Sequence, residues 1–142
     1  MNIREIKDSE LDYALKLVWE VFLKFEAVDF TKEGIKEFRD SIDNPEFIGK
    51  MKFFGAFVGE ELVGVISTRD KHHISLLFIK EEFHKQGIGK ALYEFVSSKN
   101  PDNFMTVNSS LYAKGFYERL GFTCVAREQC KNGIRYYPME KV

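Results

Sequence analysis

Between Ile79 and Ala91 an apolar strand end runs through a charged loop with two glycines, Gly87 and Gly89, into an amphipathic helix. The run from His72 to Ile79 is apolar on both sides in its second half, as a central strand must be. A strand that passes through a short glycine-containing loop into an amphipathic helix reads as a sheet with that helix packed on it. The junction also has chemical meaning. The first turn of a helix leaves backbone N–H groups without partners, and the helix dipole favours negative charge there. A pyrophosphate fits such a spot: glycine lets the backbone approach closely, and Lys85 or Lys90 adds charge at the rim. The spacing matches neither a GxxxxGK[ST] loop nor the GxGxxG of a dinucleotide fold. The glycines alone are equally consistent with a tight turn.

Other elements follow from periodicity. Met1 to Ile6 reads as a strand, and Asp8 or Ser9 as the cap of a first helix with apolar Leu11, Ala14, Leu15, Val18, Phe22 and Phe25. Thr31 caps a second helix with a stripe of Ile35, Phe38 and Ile42, ended by Asn44-Pro45. Lys52 to Val58 and Leu62 to Thr68 form a hairpin around Gly59-Glu60-Glu61. After the Ile88 to Ser98 helix come a strand at Phe104 to Val107, a helix at Tyr112 to Leu120 closed by Gly121, and strands at Phe122 to Glu128 and Ile134 to Met139 around Asn132-Gly133. The order is β-α-α-β-β-β-α-β-α-β-β. The expected class is α+β in three layers, a mixed and mostly antiparallel central sheet with helices on both faces.

Composition narrows the reading. The chain has 142 residues, of which 44% are hydrophobic and 14 are Phe. This suits one domain over residues 1–142 with a sizeable core. A net charge of -1 from 21 basic and 22 acidic residues lacks the basic footprint of a nucleic-acid binder. The longest apolar run, Leu76 to Ile79, is far short of a membrane span, and no apolar signal region opens the chain, so a cytoplasmic protein is expected. Cys124 and Cys130 have no His or Cys at zinc-finger spacing, so no metal is expected and both read as plain thiols.

The loop resembles the acetyl-CoA motif of the GNAT superfamily of N-acetyltransferases: an Arg or Gln, two residues, Gly, one residue, then Gly or Ala. His84, Gly87 and Gly89 stand at those positions after Ile79, with His84 departing from the usual Arg or Gln. Val107-Asn108-Ser109-Ser110-Leu111-Tyr112-Ala113-Lys114-Gly115-Phe116-Tyr117 and the Leu120-Gly121-Phe122 exit resemble the family's later motif. Its frequent Asn is Ser110 here, with Asn108 two residues earlier. Gly133-Ile134-Arg135-Tyr136-Tyr137-Pro138-Met139 is similar to the tail of small bacterial members, and the element order is also the family's.

The resemblance implies an acyltransferase that binds acetyl-CoA and acetylates an amine of a small molecule or peptide by direct transfer, as monomer or homodimer. It places the cofactor on the His84–Lys90 loop (His84, Lys85, Gln86, Gly87, Ile88, Gly89, Lys90) and on Asn108, Ser110 and Tyr117. It makes Tyr117 the phenol that protonates the departing thiolate, and assigns the thioester carbonyl to backbone at Leu77, Phe78 and Ile79. The alternative is a non-catalytic acyl-CoA sensor with the loop intact and no working base.

Deprotonating a primary ammonium at neutral pH costs roughly 4 kcal/mol, which calls for a base. Strict alternation places His73 and Ser75 on the face of Leu77 and Ile79, and histidines occupy both positions in the family's arylalkylamine branch. His73 is therefore one candidate base, although His72 and His73 also suit a polar strand start. Glu26, after the first helix, is the other. Family likeness builds the acceptor pocket from the first two helices and the last hairpin, where Trp19, Phe22, Phe25, Phe30, Tyr136 and Tyr137 offer aromatic walls. Helical spacing equally suits Phe22 and Phe25 to the core, whereas Trp19 lies at the stripe's edge.

Overall fold

A computed structural model describes residues 1–142, all of the chain. The strands are β1 (Asn2–Glu5), β2 (Lys52–Val58), β3 (Glu61–Arg69), β4 (His73–Ile79), β5 (Met105–Ser109), β6 (Thr123–Cys124), β7 (Gln129–Lys131) and β8 (Ile134–Lys141). The helices are α1 (Leu11–Phe25), α2 (Lys32–Ile42), α3 (Pro45–Gly49), α4 (Ile88–Ser98) and α5 (Leu111–Arg119). The sheet runs β1-β2-β3-β4-β5-β8-β6, with β7 also on β8. Only β4 and β5 are parallel. One core lies under α1, α2 and α3 around Phe22, Val65 and Phe78. The other lies under α4 and α5 around Ile66, Leu92, Tyr117 and Phe122. No helix is long and apolar enough to cross a membrane. Cys124 and Cys130 are exposed, free thiols.

The expected α+β class and the expected helices and sheet strands are present, with four local differences. Neither Asp8 nor Ser9 caps α1. The chain enters it through a 3-10 turn, Asp8–Glu10, where the Glu10 carboxylate accepts from the Lys7 amide at 2.8 Å and from Arg4 at 2.9 and 2.8 Å. Asn44-Pro45 ends α2 and also starts α3. The Asn44 side chain accepts from the Glu46 amide at 3.0 Å, and Pro45 occupies the first helical position, where its missing N–H is no loss.

The expected strand from Phe122 to Glu128 is broken into β6 and β7. Val125 donates to the Pro138 carbonyl at 2.9 Å, but Pro138 has no N–H to return, so the ladder stops there and restarts at Gln129 opposite Tyr136.

The fourth difference alters the site. Along β3 the register steps from Thr68 to Ser67 while along β4 it steps from Ile74 to Leu76, so Ser75 is an extra residue in β4. A bulge of this kind inverts the alternation beyond it. Ile74 packs under α4 and α5, as do Leu77 and Ile79, whereas Leu76 and Phe78 pack under α1 and α2. His73 therefore lies on the face of Leu76 and Phe78, opposite to the one that strict alternation assigns.

The first helices and the last hairpin meet backbone to backbone. A Cβ on Gly34 of α2 would stand 2.1 Å from the Gly133 carbonyl oxygen, and one on Gly133 2.5 Å from the Gly34 nitrogen. Thr31, whose hydroxyl caps α2 by accepting from the Gly34 amide at 3.1 Å, lies in the same contact. Alanine usually stabilises a helix over glycine by about 1 kcal/mol. In urea unfolding, Gly34→Ala is expected to lower the midpoint because it pushes the hairpin away. Gly115→Ala in α5, which meets only the movable end of Arg119 at 3.3 Å, is expected to raise it.

Candidate active site

Pairing between β4 and β5 ends after two residue pairs, His73 with Thr106 and Ile74 with Val107. Beyond them β5 continues along β8 and β4 along β3, so a cleft opens between two parallel strands. In β4 the Lys80 amide donates to Val63 of β3 at 2.8 Å. Alternate residues of an antiparallel strand share a direction, so Phe78 also points its backbone polar groups at β3, while those of Leu77 and Ile79 face the cleft. His84 satisfies one of these: its Nε2 lies 2.7 Å from the Ile79 carbonyl oxygen. A carbonyl only accepts, so Nε2 carries the proton.

At the mouth of the cleft the loop turns sharply. Lys85 and Gly87 both have positive φ, at 62° and 81°. Gly87 begins α4 with no side-chain cap, and the first intrahelical bond is Ala91 N–H to the Gly87 carbonyl at 3.0 Å. The amides of Ile88, Gly89 and Lys90 are thus free of helical partners. A Cβ on Gly87 would meet nothing within 4 Å, whereas one on Gly89 would press on the Phe116 ring at 3.2 Å. Open space before Gly87 and a dipole end without a competing cap fit an anion. Lys85 and Gln86 are exposed at the rim. Lys90 is exposed as well, with its ammonium 3.9 Å from Glu94 on its own helix.

The cleft widens into a cavity of about 430 Å³. Glu26, His73, Leu77, Phe78, Asn108, Ser110, Tyr117 and Tyr136 all line it, together with Phe30 and Phe38. Leu77 and Phe78 come from β4, Asn108 from β5, Ser110 and Tyr117 from α5 and its cap, and Tyr136 from β8. Ser110 caps α5 by accepting from the Ala113 amide at 3.1 Å. Of the six expected aromatic wall residues only Phe30 and Tyr136 line it; Trp19, Phe22, Phe25 and Tyr137 lie elsewhere, Tyr137 against the core under α4 and α5. Phe22 is fully buried, stacked on Phe38 at 4.0 Å. Trp19 lines a separate groove on the outer side of α1 and α2, with the Arg39 guanidinium 4.8 Å above its ring.

The three ionisable candidates differ in environment. Burial pushes the Glu26 carboxyl up to about 7; Ser110 hydrogen bonding pulls it down and the Asp29 charge adds to the rise. Burial drives His73 down to about 4, helped by the positive charges of Arg69 and His72. Its Nδ1 lies 2.8 Å from the Thr106 hydroxyl, across the first pairing of β4 with β5. Tyr117 is 4% exposed, and burial together with the Glu26 charge raises its pKa strongly. Its ring is fixed between Phe116 and Phe122, at 5.2 and 5.4 Å. Every fully buried side-chain polar atom has a hydrogen-bond partner, and the Tyr117 hydroxyl uses none, so it opens on the cavity.

Arg69, Glu37 and Asn132 also line this cavity, and no spacing in the sequence singled them out. They arrive from three elements that only the tertiary fold brings together. Phe25 had a signal, its place one residue before Glu26 at the end of the apolar stripe. It packs against His84 at 4.9 Å and Tyr112 at 5.4 Å, away from the core.

Comparison with known proteins agrees with this architecture. The uncharacterized N-acetyltransferase YafP of Escherichia coli is 32% identical over 101 residues, covering 66% of this chain and 65% of YafP. The peptidyl-lysine N-acetyltransferase YjaB of Salmonella typhimurium is 34% identical over 68 residues, 47% of each protein. The chain therefore matches less than two thirds of either relative's length. The PaiA N-acetyltransferase of Thermoplasma acidophilum, solved in complex with coenzyme A, superposes with a TM-score of 0.71 at 19% identity, over 99% of this chain and 97% of that one. The family model for the acetyltransferase (GNAT) domain matches residues 26–142, and on that match the chain belongs to the GNAT acetyltransferase family.

Proposed function

We propose that the chain transfers an acetyl group from acetyl-CoA to a primary amine of a small molecule or peptide, directly and within one ternary complex. The observation that carries this reading is the meeting of Glu26 and Tyr117 in one cavity, at the end of a cleft whose mouth holds the uncapped start of α4. Peptide lysine enters the acceptor class through the named activity of YjaB, and a protein working on acetyl-CoA belongs in the cytoplasm. The apolar wall of Phe30, Phe38 and Tyr136 suits the body of an amine.

Acetyl-CoA supplies the activated acetyl group. The free amides of Ile88, Gly89 and Lys90 bind its phosphates, and the Leu77 amide faces the place where the thioester oxygen gathers charge. Glu26, ionised, takes a proton from the acceptor ammonium. With an amine near pKa 10, transfer to a group near 7 is uphill by about 4 kcal/mol, against about 8 kcal/mol for one near 4. Glu26 is therefore the base in this proposal, and His73 a neutral wall residue held by Thr106. As the C–N bond forms and the C–S bond breaks, Tyr117 gives its proton to the departing sulfur. Its raised pKa keeps the phenol protonated at any working pH. The amide nitrogen's second proton leaves to water and the proton on Glu26 returns to the Tyr117 phenolate through the cavity water, so the enzyme is restored and the products are the acetamide, coenzyme A and one proton.

Acetyl-CoA at about 100 times its dissociation constant should stabilise the protein by about 2.7 kcal/mol in thermal melts, with free coenzyme A close behind and ADP less. No shift with millimolar acetyl-CoA would sink the acetyltransferase reading. Tyr117→Phe is expected to lower kcat about 100-fold or more while keeping the acetyl-CoA dissociation constant. A sensor without catalysis has no turnover to lose, so wild-type turnover of acetyl-CoA with amine decides between the two.

Glu26 also sets a pH dependence. The rate is expected to rise through a limb near pH 7 that Glu26→Gln removes. For stability the sign is opposite: a carboxyl raised in the folded state binds a proton that the unfolded chain has released, so its contribution to stability falls between about pH 4.5 and 7. Glu26→Gln should therefore raise the melting temperature at pH 8 and leave it unchanged at pH 4.

A further inference from the structure

Three consecutive residues at the end of α1 touch both sides of the cleft. On the β4 side Lys24 pairs with Glu81, and the Phe25 ring lies 4.9 Å from His84, whose own ring is fastened to the Ile79 carbonyl. On the α5 side Phe25 stacks on Tyr112, at 5.4 Å and 29° between planes, and Glu26 lines the same cavity as Ser110, the cap of α5. Both spacings are those of favourable aromatic pairs. Phe25 therefore spans the cleft mouth from one side to the other. His84 belongs to the loop that leads into α4 and Tyr112 to the first turn of α5, so the ring joins the two elements that flank the opening.

We propose that Phe25 is a positioning residue, a clamp across the mouth of the cleft that couples cofactor binding to the placement of the neighbouring Glu26. The inference rests on the acetyl-CoA reading above. A cofactor entering the cleft changes the spacing of His84 and Tyr112, the two surfaces on which Phe25 rests. Phe25 is in the last turn of α1 and Glu26 is its next residue, so a movement of the ring is passed along one peptide bond to the carboxylate. The clamp also keeps water from Glu26 on that side, which favours the neutral carboxyl. The other groups that face Glu26 are Asp29 beyond it and the phenols Tyr112 and Tyr117 from α5. Arg69, Glu37 and His73 stand farther round the same cavity wall. None of these is attached to the clamp except Tyr112, so opening it removes burial and leaves the rest of the electrostatic setting in place.

The test is an NMR titration of the Glu26 carboxyl carbon in the full chain, with and without saturating coenzyme A. Wild type, Phe25→Ala, Phe25→Leu and Tyr112→Ala are compared. Tyr112 is 49% exposed, so its removal takes away one side of the clamp without threatening the fold. In wild type the Glu26 midpoint is expected to move when coenzyme A binds. Phe25→Ala and Tyr112→Ala should lower the free-protein midpoint toward the ordinary carboxyl value, by a unit or more for Phe25→Ala, and abolish the response to coenzyme A. Phe25→Leu should restore most of both.

Amide shifts at Gly87 and Gly89 report coenzyme A binding separately. If those amides do not respond in wild type, the cofactor reading falls and the clamp with it. If they respond while the Glu26 midpoint and its response are the same in wild type, Phe25→Ala and Tyr112→Ala, the cofactor reading stands and the clamp is wrong. If Phe25→Ala alone unfolds, Tyr112→Ala decides the matter by the same criteria.

Discussion

Two parallel strands that hold together for two residue pairs and then part are the constraint on which the remaining architecture rests. A sheet normally satisfies its own backbone, so a cleft within one needs other partners for the groups it frees. β4 turns its outer edge to His84 and to the cavity, while β5 turns to β8. The separation sets α4 and α5 on either side of the opening. It points the start of one helix into the mouth and the Tyr117 hydroxyl of the other into the interior. The bulge at Ser75 makes this compatible with two cores: it lets the same strand send Ile74 and Leu77 under α4 and α5 but Leu76 and Phe78 under α1 and α2.

Burial, more than charge pairing, divides the labour among the ionisable groups. Glu26 and His73 are driven in opposite directions by the same loss of water, because one is charged when deprotonated and the other when protonated. The result is a carboxyl that titrates near neutrality and an imidazole that stays neutral. From residue types alone the preference runs the other way, since histidine is the usual group near pH 7. Placement decided it: Glu26 closes α1 over the cleft, while His73 sits beside Arg69 at the far end.

Much of this was legible in the sequence wherever one local rule acts alone. The Gly87–Gly89 junction, the Thr31 cap and the apolar stripes of α1 and α4 each depend on a few neighbouring residues. Their positions follow from capping, glycine conformation and helical period. The positions that went unread depend on partners remote in the chain. Ser75 carries no mark of a bulge, because the register shift arises between β3 and β4. Pro138 breaks the pairing of β6 only because its missing N–H faces that strand. Phe22 and Trp19 share the apolar stripe of α1, and the packing of Phe38 and Arg39 from α2 settles what each ring does. The cavity brings together residues from α1, α2, β3, β4, β5, α5 and the last hairpin, a convergence that no single segment reveals.

The contact of Gly34 with Gly133 has a bearing on how the molecule is made. These glycines are about a hundred positions apart, and the backbone of the hairpin turn closes one side of the cavity over α2. In the order of synthesis β1 to β5 and α1 to α5 all precede β8. Until the last hairpin arrives, α2 has nothing to close against and β5 lacks its antiparallel neighbour, so the cavity is the last part of the molecule to be completed.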